Sequence, residues 1–341
     1  MPSGKPRYLV GLVVATTAVI LAGCGGPAPS HPTRTGAPSQ HPRTRHTPAV
    51  KSQPPVALAP GLGGAVSVIV ENDPAARPES GLSRADWVFE APAEGGITRF
   101  LAIFWSRAAG VIGPVRSTRI YFDQLARAYR LPFAHAGGNV DALYHIPAWH
   151  IENFDQIYGS GAYFWRSTSR LPPHNLYTST ALLAQGIRHR HEPFGPVPTL
   201  PPGTMPGHLP ATQVAITYAN QPGVFVERPI WNWVSGVYVR TENGVADPTA
   251  SGAPITARAI IVLVTPASPD PDPYTPYSIK LAMTGRGPGW VFENGRATPI
   301  IWKRRSASPF AFETVHHHDV KVPGTPVWFE LVPSAAQVAF H

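Results

Sequence analysis

The chain has 341 residues, with 28 Lys plus Arg against 20 Asp plus Glu and a formal net charge of +8. Its single cysteine excludes an internal disulfide and any Cys-rich metal site, so the core must be held by apolar burial. The charge does not point to nucleic acid. All the acids lie after residue 60, where the 22 remaining basic residues leave the folded part nearly neutral.

Lys5 and Arg7 precede an apolar run from Tyr8 to Ala22 that closes on Leu21-Ala22-Gly23-Cys24. The run is shorter than the roughly 20 residues a membrane-spanning helix needs. Basic front, short apolar middle, small residues and a cysteine predict a lipoprotein signal over 1–23. Cleavage before Cys24 would leave that residue lipid-modified with acyl chains such as palmitate. Two or more chains anchor a protein stably, so the expected address is the extracytoplasmic face of the cell membrane. Residues 25–60 hold nine prolines and no aliphatic periodicity. With Cys24 they are expected to form a disordered Pro-rich tether over 24–60, attracted through Arg34, Arg43, Arg45 and Lys51 to anionic headgroups or acting as a plain spacer.

The fold class expected for the remainder is α+β, with an N-terminal α/β domain built on a mixed sheet (61–195) and a C-terminal all-β domain (211–341). Apolar runs predict strands at Val66–Val70, Trp87–Glu90, Ile97–Trp105 and Leu131–Ala136. The third is apolar almost throughout, as a strand covered on both faces is. Helical spacing of Tyr121, Leu125, Ala128 and Tyr129 predicts a helix over Thr118–Arg130 with Ser117 as its cap, and Leu182–Arg190 reads as another. Six prolines in 196–210 mark a linker. Beyond it come short runs rich in Val, Ile, Trp and Tyr, separated by turn signals such as Glu242-Asn243-Gly244, which predict a small sandwich or open barrel.

Chemistry is most legible in Ile112-Gly113-Pro114-Val115-Arg116-Ser117-Thr118-Arg119, where a strand enters a turn and two arginines flank a predicted helix start. Helix N-termini and guanidinium forks both favour an anion. Arg99 interrupts an apolar strand and needs a partner, either Glu90, Glu94 or an anionic ligand. The competing reading is an internal salt bridge at each arginine. His174 and Asn175 follow a Pro-Pro turn, and His135 precedes Gly137-Gly138, so each is a ligand contact or a structural hydrogen-bonder. There is no P-loop, G-x-S-x-G elbow or H-E-x-x-H motif. His316-His317-His318 reads as a turn rather than a metal site, and Trp231 with Trp233 as core.

The chain resembles the YerB-like bacterial lipoproteins, a family built on a domain of unknown function. The resemblance rests on Ala76-Arg77-Pro78-Glu79-Ser80-Gly81-Leu82-Ser83-Arg84-Ala85-Asp86, on Glu90 to Phe100, on Gly113 to Arg119, on Pro173 to Thr178, and on Trp328-Phe329-Glu330-Leu331-Val332-Pro333. It covers nearly everything from 60 to 341 and implies a layout and a location. The chain departs from the pattern at Val245-Ala246-Asp247, where a His before the acid is expected, and at Ala259, in place of an expected Asn. The first half also resembles, at fold level only, the LytR-CpsA-Psr enzymes, which act on polyprenyl-pyrophosphate carriers. That likeness implies a pyrophosphate held by Asp86, Arg99, Arg116 and Arg119; a divalent metal belongs only to this enzyme reading, and otherwise no cofactor is expected.

The expected function is binding of an anionic, phosphate-bearing envelope ligand through Asp86, Glu94, Arg99, Arg116, Ser117, Arg119, His135, His174 and Asn175. The alternatives are a phosphotransferase or hydrolase of lipid-linked precursors, and a scaffold for another envelope protein.

Overall fold

In the computed structural model the described residues are 62–218 and 225–341. The signal (1–23), Cys24 and the tether (24–60) lie outside them. The first half supplies strands β1 (Val66–Glu71), β2 (Trp87–Pro92) and β3 (Thr98–Phe104), helix α1 (Ile120–Tyr129), β4 (Phe133–His135), α2 (Val140–Ala148), β5 (Asn153–Asp155) and α3 (Thr180–His189). Ser179 caps α3, its hydroxyl accepting from Leu182 N at 3.1 Å. The second half supplies only strands of any length: β6 (Gln213–Ile216), β7 (Pro229–Val234), β8 (Val237–Glu242), β9 (Val245–Ala246), β10 (Ala259–Val264), β11 (Gly285–Glu293), β12 (Arg296–Arg304), β13 (Ala311–Thr314), β14 (Val327–Val332) and β15 (Val338–Phe340).

The α/β first half and the all-β second half are as the pattern predicts. Their strands nevertheless join one 11-stranded mixed sheet in the order β13-β12-β11-β10-β14-β2-β3-β1-β4-β5, with the pair Leu209–Pro210 added to β12. The junction is β14, which lies parallel to β10 on one side and to β2 on the other. A smaller sheet, β9-β8-β7-β6-β15 with Thr256–Ala257 added to β8, takes the rest. The second half is therefore not a free-standing sandwich. One strand-like run, Tyr277 to Met283, shrinks to Ile279–Leu281, while β11, broken up in the sequence by Gly285, Gly287, Pro288 and Gly289, is a full nine-residue strand.

Alternation along the central strands sorts the core into two layers. Leu101 and Ile103 of β3, with Trp87, Phe89 and Phe329, face α1 through Tyr121, Phe122 and Leu125. Phe100, Ala102 and Phe104, with Val88 and Trp328, face α3 and the smaller sheet through Leu183, Ile187, Val214, Trp231 and Tyr238. β3 is thus covered on both faces, as its unbroken apolar run requires. Trp231 is fully buried. Among the described residues, no helix is long and apolar enough to cross a membrane.

Candidate functional site

β1 and β3 run antiparallel with Glu71 opposite Arg99, so both side chains leave the sheet on the α1 face. The segment after Gly113 runs back beside β1, Arg116 N donating to Ile69 O at 3.1 Å, and then turns into α1. This brings Arg99, Arg116 and Arg119 together near the start of that helix, as the motif predicts.

The three guanidinium groups are not free, which corrects the expectation of open cations. Arg119 forks onto Glu94, its Nη2 donating to Oε2 at 2.5 Å and its Nε to Oε1. Arg99 Nη2 lies 3.5 Å from the same carboxylate, and Arg116 Nε lies 2.7 Å from Glu71 Oε1. Both Arg99 and Arg119 are buried. Burial, and then the neighbouring Arg119, bring Arg99 down to about 10. Burial acts to raise Glu94, but the Arg99 guanidinium and the bonds from Arg119 outweigh it and hold the carboxyl at about 2. Cavities of about 430 to 550 Å³ open elsewhere, on other residues.

Ser117 does not cap α1. The helix begins at Ile120, its N-cap Arg119 makes no side-chain cap bond, and Ser117 instead presents its carbonyl to Arg99 Nη1 at 3.1 Å. Asp86 does not join the arginines either. It stands before β2, at the far end of β3 from Arg99, about 17 Å away at ~3.3 Å per residue. Its oxygens accept from Trp105 N at 2.7 Å, Ser106 N at 2.8 Å and the Ser106 hydroxyl, so it locks the turn after β3. The pyrophosphate-holding foursome is therefore not assembled.

His174 does reach the cluster, its Nδ1 lying 3.0 Å from Glu71 Oε2. Glu71 is completely buried and bridges Arg116 and His174, which keep 28% and 21% of their side-chain surface exposed. Asn175 turns inward to accept from Arg166 and donate to Ser167 O. His135 is sealed in, with Gly137 O at 2.9 Å, Asn153 Oδ1 at 2.8 Å and Asp155 beyond; burial lowers its pKa. Both side chains are engaged by the protein's own groups. His317 pairs with Glu313 at 3.0 Å in a turn. Among the described residues, no group of His, Cys, Asp or Glu is arranged to hold a metal.

A second polar cluster, on the opposite face of the same sheet, was not anticipated. Arg240 of β8 is buried between Glu90, Glu242 and Asp247, and Arg77 pairs with Glu227. Glu330 accepts from Tyr218 at 2.8 Å and Trp231 Nε1 at 2.9 Å. Asp247, which lacks the expected His before it, thus has an arginine as partner. The available signals were acids and a base inside apolar strand runs: Glu90 in WVFEAP, Glu330 in VWFELV and Arg240 in VYVRTE.

Residues 59–193 match the model for the "Protein of unknown function (DUF3048) N-terminal domain", and residues 214–326 match its C-terminal counterpart. A Bacillus subtilis (strain 168) protein named "Putative lipoprotein YerB" is 46% identical over 114 residues, covering 33% of this chain and about a third (34%) of that relative. The crystal structure of YerB protein from Bacillus subtilis superposes with a TM-score of 0.72 at 27% identity, over 82% of this chain and 93% of that one. With both family models matched in order across the folded region, the chain belongs to the YerB-like family defined by the DUF3048 domains.

Proposed function

We propose that the protein is a lipoprotein, anchored through lipid on Cys24 at the extracytoplasmic face of the membrane, that binds an anionic group of the cell envelope at the Arg116–His174 surface. The address draws on the signal pattern and on the lipoprotein named among its relatives. Binding is favoured over turnover because Asp86 is committed to a turn.

One observation carries the site: three guanidinium groups meet only two carboxylates, since Arg99 and Arg119 share Glu94. The surplus positive charge is buried at the start of α1, and Arg116 and His174 are its exposed edge. A visiting phosphate would meet these two side chains, with Arg99 and Arg119 as a fixed positive backing. Calorimetric titration of inorganic pyrophosphate tests this reading. Saturable heat that disappears in Arg116→Gln/His174→Gln, measured well below the melting temperature of either protein, supports it; identical heats in wild type and variant overturn it.

A further inference from the structure

One cleft lies where the two family segments meet. It encloses about 540 Å³. The loop before β2 contributes Ser80, Ser83 and Arg84, the loop after β3 contributes Ala109 and Val111, and the second half closes it with Ser251. Its lining includes three hydroxyls and one cation but no carboxylate.

Arg84 differs from the arginines at the helix start. Its Nε donates to Ala108 O at 3.2 Å, and among the described residues no acid pairs with it. Arg107 returns the contact, Nη2 donating to Ala85 O at 3.0 Å, so two guanidinium groups brace neighbouring loops through backbone carbonyls alone. Asp86, the adjacent acid, has its oxygens taken by residues 105 and 106. The terminal nitrogens of exposed Arg84 are thus left for a partner from outside.

The cleft is built by both segments. Gly81 sits at φ +91°, and a Cβ there would lie 2.7 Å from Val111 O, so glycine permits the two loops to close together. Ala250 N donates to Glu79 O at 2.7 Å and draws the second-half loop onto the first. Concave junctions of this kind, apolar with a few convergent polar groups, are where small ligands bind.

We infer that this cleft is a second anion site, taking an oxyanion carried on a short apolar body: the head on Arg84 and the serine hydroxyls, the body along Ala109 and Val111. A guanidinium fork matches phosphate or carboxylate, and the alanine-rich wall favours a carbon chain over bulk water.

The test is calorimetric titration of the full chain with butyl phosphate, butyrate and inorganic phosphate. One of the two alkyl anions is expected to bind more tightly than inorganic phosphate, and which one does tells phosphate from carboxylate. Arg84→Gln should weaken binding roughly tenfold or more, since a charge-assisted bond contributes about 1.5–3 kcal/mol. Arg84→Lys should restore part of it, and both variants should melt as wild type. Run in the Arg116→Ala background, which removes the helix-start contact, the same titration should still show one saturable site for the tighter alkyl anion. No saturable heat, or wild-type binding by Arg84→Gln, overturns the proposal. Loss in Arg116→Ala alone overturns it too and assigns the anion to the helix start.

Discussion

Arg240 Nη2 lies 3.2 Å from both carboxylate oxygens of Glu90, one residue from each half of the chain and both fully buried. Phe100 and Trp328 flank the guanidinium at 5.5 and 5.6 Å, so water does not screen the pair. Glu242 and Asp247 complete its shell. Replacing Arg240 by Met would strand three carboxylates in an apolar setting. It should cost about 3–5 kcal/mol of stability, measured by urea unfolding. Unchanged stability would mean that those acids are neutral in the native state.

The same junction should loosen as pH rises. Burial, with Asp247 nearby, pushes Glu79 up to about 8, and burial lifts Glu227 to about 7 against the pull of Arg77. A carboxyl whose folded pKa exceeds its unfolded value holds a proton that the unfolded chain releases. Its contribution is complete below about pH 4 and is lost as pH climbs through 7 to 8. The melting temperature should therefore fall between about pH 4 and about pH 8 and level off above that, and Glu79→Gln should flatten the slope. An equal slope in the variant would remove Glu79 from the cause.

The Arg119–Glu94 pair should behave in the opposite sense. Glu94 is held at about 2, so its contribution stands at neutral pH and disappears only as pH drops toward that value. Arg119→Ala should lower the melting temperature clearly, whereas Arg116→Ala, at a partly exposed position, should lower it little. Equal effects of the two changes would contradict this ranking.

Deleting β14 should unfold the first half along with the second. Val327–Val332 pairs with β2 and β10 at once, so its loss exposes two interior edges of the large sheet. Residues 62–195 made alone should show no cooperative thermal transition by circular dichroism. A sharp transition would show that the first half folds by itself.

Gly96 admits no side chain. It sits at φ +81°, and a Cβ there would lie 1.9 Å from Phe225 O, beside the bond from Phe225 N to Gly95 O at 3.1 Å. Gly96→Ala should cost more than the ~1–2 kcal/mol of a left-handed residue, because the backbone must also shift. Chemical denaturation measures this, and a loss below 1 kcal/mol would contradict it.

The sites were only partly legible in the sequence. Arg99 in an apolar strand demanded a partner, and Glu94 is one of those its surroundings allowed. What could not be read was that Arg119 would claim the same carboxylate, since 25 residues separate Glu94 from Arg119. Arg84 and its cleft carried no signal at all, because the wall opposite it comes from residues 250–253.

Local chemistry written along the chain was enough for the strands β1 to β3, helix α1 and the change to all-β structure after 210. Apolar period, turn residues and charge act over a few neighbours and need no fold to be read. Only tertiary structure decided that β14 closes the first half's sheet, that the helix-start arginines meet the protein's own acids, and that Arg84 does not. Those outcomes depend on which distant side chains burial brings within a few ångströms, and a buried charge takes whichever partner the packing delivers.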